Sequence, residues 1–497
     1  MQKLRKTVFF PPFLLLLISA LLSLYFPEQF LKIASGINTW ILQHFDWLFS
    51  WSTLFFLVIL GVTYFSPLSK IKIGGKEAKP LLTRWQWFSI TLCTTIATGI
   101  LFWGTAEPMF HVHSEALDTI KDKKTFAMST MFMHWTITPY GIYTLAGLVF
   151  ALCFYNLKQP FSVSAMLYPL AKEKSYGAIG QIADAICLFA LVAGMSASLG
   201  TGILAISGGL NRFLGINPDK IVYAFIGLGI VIAFIISAST GLKKGIKFLS
   251  LTNTYLFIGL ALFVFFMGPM GEVLSLGWNG FKDYLINFFP RSLGLDSNIK
   301  TDWVQNWTVF YWANWLAWTP ITAIFLGRLA YGYTVKEFIW FNLLFPSLFG
   351  ALWMVIFSGT TIALDDLFNY ELHQSLQTDG PQSVIYQVLA HLPFAEIMGF
   401  IFLFIVFISY VTAADSNTSA MTGMSIKGVS PDEPETPLYL KVIWGVLVGV
   451  VSWVMISFAG VDGVKMISNL GGLPALFLVI LVGAGMIKLI WKRKELF

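Results

Sequence analysis

Trp315 and Trp318 stand three residues apart in the run Phe310-Tyr311-Trp312-Ala313-Asn314-Trp315-Leu316-Ala317-Trp318-Thr319-Pro320. On a helix that spacing puts both rings on one face. A second run sets Trp135, Tyr140 and Tyr143 around Pro139, whose ring can bend the helix and draw the three together. Aromatic faces attract a cation, by ~2 kcal/mol or more once water is excluded. A quaternary ammonium has no N–H to donate, so a cage of rings is its natural receptor. The competing use of such rings is packing or lipid contact, which is common in a chain holding 18 Trp, 17 Tyr and 46 Phe.

Other chemistry is sparse. Glu107, His134, Asp184, Arg328 and Asp415 lie within or at the ends of apolar runs, where a charged group caps, pairs or marks an ion pathway. Asp415, just after Thr412, divides evenly between a local hydrogen-bonding role and an ion-pathway role. His111 and His113 do not share a helix face, and no cysteine or carboxylate stands at ligand spacing, so no metal site is expected there. His134 reads as a packed, hydrogen-bonded residue. Nucleophile-elbow, HExxH and phosphate-loop patterns are absent from the sequence, which argues against an enzyme and against direct use of ATP. Cys93, Cys153 and Cys187 sit in apolar runs and imply no disulfide framework.

The elements that must position these residues are membrane spans. The chain has 497 residues, 56% hydrophobic and only 12% charged, with a mean hydropathy of +0.72. Soluble domains carry about 25% charged residues. Twelve runs approach the roughly 20 apolar residues that cross a bilayer: 8–26, 49–66, 85–103, 126–154, 177–211, 221–240, 249–270, 307–331, 338–363, 395–418, 438–459 and 470–491. The first follows Lys3, Arg5 and Lys6 and reads as an uncleaved anchor. Roughly 22 of the 32 Lys and Arg fall in loops on the side of the termini, which predicts both ends in the cytoplasm of a cell-membrane protein. The net charge of +6 is thus a topology signal and does not point to nucleic acid. Within the loop 271–306, residues 276–289 predict a helix lying on the outer surface.

Two spans are marked for weakness. Span three reads Thr94-Thr95-Ile96-Ala97-Thr98-Gly99-Ile100-Leu101-Phe102-Trp103-Gly104, and Pro320 opens span eight beside the tryptophans. They stand five spans apart, as weakened helices at matching places of two inverted halves would, and this points to a midplane site. Close helix packing at the glycines is the other reading.

The stretch Trp307–Glu337 resembles the signature of the betaine/choline/carnitine transporter (BCCT) family. So do Phe102–Pro108, Met133-His134-Trp135-Thr136 with Pro139, Ser198-Leu199-Gly200, and Thr412-Ala413-Ala414-Asp415-Ser416, in the family's order over nearly the whole chain. The resemblance implies an all-α, twelve-helix membrane protein with LeuT-like inverted repeats. Residues 1–84 would hold the N-terminus and two extra spans, 85–270 the first five-helix repeat (spans 3–7), 307–491 the second (spans 8–12), and 492–497 a short tail. It further implies frequent homotrimers and a site in which Trp135, Tyr140, Tyr143 and Trp315 form an aromatic box with Trp318 as a further contact. Three positions depart from the pattern. The third-span glycine motif is reduced to Thr95-Ile96-Ala97-Thr98-Gly99, bringing Ile96 and Thr98 toward the substrate. Asn314 replaces a tryptophan. The sodium pair Thr-Ser reads Thr412-Ala413, leaving Thr412 with Ser409 and the carbonyl region of Cys93 and Ile96 as the implied sodium ligands. Short ends, without the basic tail of stress-sensing members, argue against strong osmotic sensing.

The expected function is import of a quaternary ammonium solute of the betaine, choline or carnitine type by alternating access, with no cofactor beyond a sodium ion. A sodium-independent exchanger, or a carrier of a less methylated amine, stays open beside it. From another class, so does a transport-inactive receptor.

Overall fold

The computed structural model describes residues 4–96, 99–239, 242–427 and 437–492, with the side chains at 94, 96, 238–239, 242–250 and 416 excluded. The described residues contain no strand, only the isolated bridges Leu4↔Ile426 and Lys72↔Thr334. The principal helices are α1 (Lys6–Tyr25), α2 (Pro27–Phe65), α3 (Arg84–Ile96), α4 (Gly99–Val112), α5 (Lys123–Trp135), α6 (Ile137–Ala151), α7 (Ala178–Leu214), α8 (Lys220–Ser239), α9 (Leu242–Met267), α10 (Met270–Ser292), α11 (Phe310–Leu329), α12 (Phe345–Leu367), α13 (Ala395–Ser425) and α14 (Leu438–Trp491). The chain is an all-α, multi-pass membrane protein.

Helix occupies every predicted apolar run, but among the described residues only eight helices are long and apolar enough to cross a membrane. The count is nine if the α9–α10 pair, bent by 110°, forms one span. Run three is described as two helices of 13 and 14 residues, and α11 over run eight is rich in Trp and Thr. Runs eleven and twelve merge in α14, where Gly460 (φ 54°, ψ −137°) breaks the helix. Helix α2 begins 22 residues before the predicted run at 49, a difference with a physical cause. Its first half is too polar for a hydropathy scan, yet no residue after Pro27 stops the helix.

Burial sorts the helices into a centre and a rim. Every residue from Thr138 to Ala151 of α6 is buried, as expected of a helix apolar all round. By contrast, α8 exposes Ile221, Phe225, Leu228, Ile232 and Ile236 along one stripe, a lipid-facing surface. Helix α10 buries Val273, Gly277, Gly280 and Tyr284 against α5 and α12, leaving Trp278, Phe281, Leu285 and Phe289 exposed on its other side. It lies across the bundle and extends the predicted 276–289 helix at both ends.

Lipid tails are as apolar as leucine, so helices in a bilayer associate through close packing at small residues. In the centre, α14 packs most extensively on α7 and α11. A Cβ on Gly472 would stand 2.5 Å from the Ala313 carbonyl oxygen, and one on Gly471 would stand 2.7 Å from Ala193 Cβ. Together with α6, these three helices enclose the site.

Candidate functional site

Pro139 breaks the fourth run one turn upstream of itself. Its ring has no N–H and collides with the carbonyl of Trp135 four residues back. The chain accordingly leaves helical geometry at Thr136 (φ −122°, ψ −116°), between α5 and α6. The break turns Trp135, at the end of α5, toward α11. Pro320 behaves otherwise. Helix α11 runs through it, and the irregularity of the eighth run is a π-helical turn at Gln305–Val309. The expectation of an opened helix at Pro320 is therefore corrected; Pro320 is buried inside the bundle, where neighbouring helices hold the segment.

Trp315 is the hub of the site. Its ring centroid lies 5.7 Å from Trp135 (79° between planes), 5.6 Å from Tyr140 (57°) and 5.1 Å from Tyr143 (64°). Steep angles of this kind let the rings present faces as well as edges to a common space. Trp135, Tyr143, Trp315, Trp318 and Asn314 all line one cavity of about 40 Å³, while Tyr140 packs behind Trp315 and does not line it. That volume holds a few waters, so a trimethylammonium solute requires the rings to part. Trp318 fits because α7 has Gly194 there: a Cβ would stand 2.9 Å from its ring.

The box tryptophans have their polar edges tied down. Trp315 Nε1 donates to the His134 carbonyl (3.1 Å), and Trp135 Nε1 donates to Glu107 Oε2 (2.9 Å). With the indole N–H groups engaged, their ring faces remain for a ligand. Asn314 Oδ1 likewise accepts from Ser468 Oγ on α14 (3.0 Å).

Glu107 is the organising group that sequence spacing did not reveal. It is fully buried, and the Tyr311 hydroxyl also donates to its Oε2. Oε1 lies 2.6 Å from His134 Nδ1 and 3.2 Å from His111 Nε2. His134 Nε2 in turn reaches Thr308 Oγ1 at 3.1 Å. The three side chains bring ligand-type atoms within 4.8 Å of one another. Two ligands of one tetrahedral zinc, at ~2.0 Å each, would stand about 3.3 Å apart. The 2.6 Å approach is a hydrogen bond, and the cluster is a buried polar network. The overlooked signal was the i, i+4 pair Glu107–His111.

The implied sodium residues are only partly gathered. Cys93 Sγ lies 3.3 Å from Thr254 Oγ1, and Asn253 Nδ2 stands 3.0 Å from Ser409 Oγ and 3.9 Å from Cys93 Sγ. Thr412 is buried one turn beyond Ser409. Thr98 and the Ile96 side chain lie outside the described residues. Hydroxyl and amide oxygens suit a hard monovalent cation, whereas the Cys93 thiol is too soft to help.

The buried carboxylates Asp184 and Asp415 have local partners. Asp184 pairs with Arg5 (2.5 Å) and accepts from the Ser164 amide (2.8 Å). Asp415 accepts from Ser237 (3.0 Å) and has Lys441 at 3.9 Å. Residues that line the cavity without having been expected as site residues include Trp103, Phe310, Ser198, Thr201 and Val464.

Against known proteins, residues 7–495 match the model of the BCCT, betaine/carnitine/choline family transporters. The ectoine/hydroxyectoine transporter of Virgibacillus pantothenticus is 28% identical over 98% of this chain and 96% of its own length. A glycine betaine/proline/choline/ectoine transporter of Vibrio parahaemolyticus is 29% identical over 91% of this chain and 81% of its own. The glycine betaine transporter of Bacillus subtilis is 28% identical over 94% and 91%.

Proposed function

The chain belongs to the betaine/carnitine/choline transporter family, and on that premise we propose that it imports a quaternary ammonium solute of the betaine, choline or carnitine type across the cell membrane. The single observation that carries this reading is Trp315 with three further rings within 6 Å, of which Trp135 and Tyr143 line the same cavity as Trp315. The ammonium head sits against Trp135, Tyr143 and Trp315, and Trp318 and Asn314 meet the rest of the solute. The names of the relatives, which span betaine, choline, proline and ectoine, support a small polar solute of this kind. Access alternates as the five-helix unit 85–270 rocks against 307–491, with both termini in the cytoplasm.

Import is coupled to sodium held by Ser409, Thr412 and the Asn253 oxygen, which stands 3.3 Å from Ser409 Oγ. A second reading, sodium-independent exchange, is favoured by the same asparagine, since its amide already bridges Ser409 and Cys93.

The test is uptake of labelled glycine betaine, choline and carnitine into proteoliposomes, in sodium and in potassium buffer, by the wild type and Trp315→Ala. The reading expects the variant to lose at least about tenfold, since desolvated cation–ring contacts are worth ~2 kcal/mol each. Near-normal uptake by the variant refutes the cage. Equal uptake in potassium transfers the case to exchange.

A further inference from the structure

A second set of rings lies against the first, and it already holds a cation. Lys465 of α14 places its ammonium 3.5 Å from the centroid of Trp307, 5.6 Å from Phe310, and 5.8 Å from both Trp103 and Phe110. Two of those rings, Trp103 and Phe310, also line the central cavity. The charge is therefore one ring's thickness from the place where the solute would sit.

The position is built by the chain. Gly460 breaks α14, and Lys465 lies just over a turn beyond it. Val464 lines the cavity and Ser468 holds Asn314, so the face carrying Lys465 is the one that α14 turns to the site. Among the described residues Lys465 forms no ion pair. It is half-buried. Ring faces cover its charge at close range, Asp462 and Glu107 attract it from beyond ion-pair distance, and its N–H groups stay free for an anionic partner. Glu107 differs: its carboxylate is closed off by His111, His134, Trp135 and Tyr311. Lys465 does not itself line the cavity; it stands behind the lining rings Trp103 and Phe310 as a positive charge with no ion pair among the described residues.

We propose that Lys465 is a specificity-determining residue: a tethered ammonium that selects zwitterionic solutes over purely cationic ones. This deepens the transport reading and rests on it. A solute with both a quaternary ammonium and a carboxylate puts the first among the box rings and turns the second toward Lys465. One that carries only the ammonium meets uncompensated repulsion across Trp103 and Phe310. In a site of intermediate dielectric, that difference amounts to about tenfold in preference.

The experiment compares labelled glycine betaine with labelled choline in proteoliposomes of the wild type, Lys465→Met and Lys465→Arg. Equilibrium binding of both solutes is read in parallel by tryptophan fluorescence, which still reports if a variant no longer transports. The expected result is that Lys465→Met raises the choline-to-betaine ratio about tenfold, while Lys465→Arg keeps the wild-type ratio within about twofold. An unchanged ratio in Lys465→Met, in uptake or in binding, overturns the proposal. So does equal loss of both solutes in Lys465→Met while Lys465→Arg stays intact, since that marks a structural role. A wild type that neither binds nor carries either solute overturns the transport reading, and this inference with it.

Discussion

At the residue scale, the site depends on a carboxylate that does not line the cavity. Glu107 takes the indole N–H of Trp135 and the hydroxyl of Tyr311 on one oxygen, and faces His134 and His111 with the other. Replacing it by glutamine keeps the shape but turns one acceptor into a donor, which must then face existing donors. A buried group left unsatisfied costs about 1–3 kcal/mol. Glu107→Gln should therefore unfold at lower temperature in detergent at a fixed scan rate, and should bind glycine betaine more weakly because Trp135 loses its anchor. Unaltered melting together with unaltered binding would show that the network does not hold the box.

At the element scale, the spans are joined by a small lock between two of the loops that the charge count places on the cytoplasmic side. The 71–75 segment runs beside 332–335, with Ile73 N donating to Tyr333 O, Gly332 N to Ile73 O and Val335 N to Ile71 O, each at 2.9 Å. Gly332 (φ 85°) is required there, since a Cβ would come within 2.3 Å of Pro80 N. Glu337 closes the lock by capping the turn at Thr334 and pairing with Arg84 at 2.7 Å. Burial pushes its carboxyl up, but the Arg84 hydrogen bond and the Thr334 amide and hydroxyl outweigh burial and hold it below the usual 4.5. The folded-state pKa is depressed, so the stabilisation is complete above the unfolded value near 4.5. It is lost as pH falls through the lower folded value. The stability difference between wild type and Glu337→Gln should be full at neutral pH and should shrink only on acidification below about 4.5. A difference that grew toward acid would contradict the assignment.

At the scale of the whole molecule, the same lock offers a handle on alternating access. It joins Arg84, from which α3 leads into the first proposed repeat, to the segment after α11, in the second. If the two units rock against each other, fastening this end must stop the cycle. The native cysteines, Cys93, Cys153 and Cys187, are buried, so an Arg84→Cys/Glu337→Cys pair can be joined selectively with a short cleavable bis-thiol linker. Uptake should fall to background on linking and return on cleavage. Undiminished uptake by the fully linked protein would rule out movement at this place.

Much of this molecule was legible from residue types and order alone. Hydropathy sets the membrane environment because apolar runs of sufficient length have no other stable solvent, and helices occupy every run so identified. The aromatic positions Trp135, Tyr143, Trp315 and Trp318 were visible as a group because ring chemistry and helical spacing are local properties. What the tertiary structure alone decided is non-local. Tyr140 falls behind Trp315 because the break at Thr136, one turn before Pro139, sets how α6 leaves α5. Glu107 meets four donors from three separate segments of chain. Lys465, which lies between the last two apolar runs of the sequence, finds its rings because Gly460 redirects α14 against spans more than 150 residues earlier in the chain. Distances of that kind are set by how helices pack, and no local pattern of residues carries them.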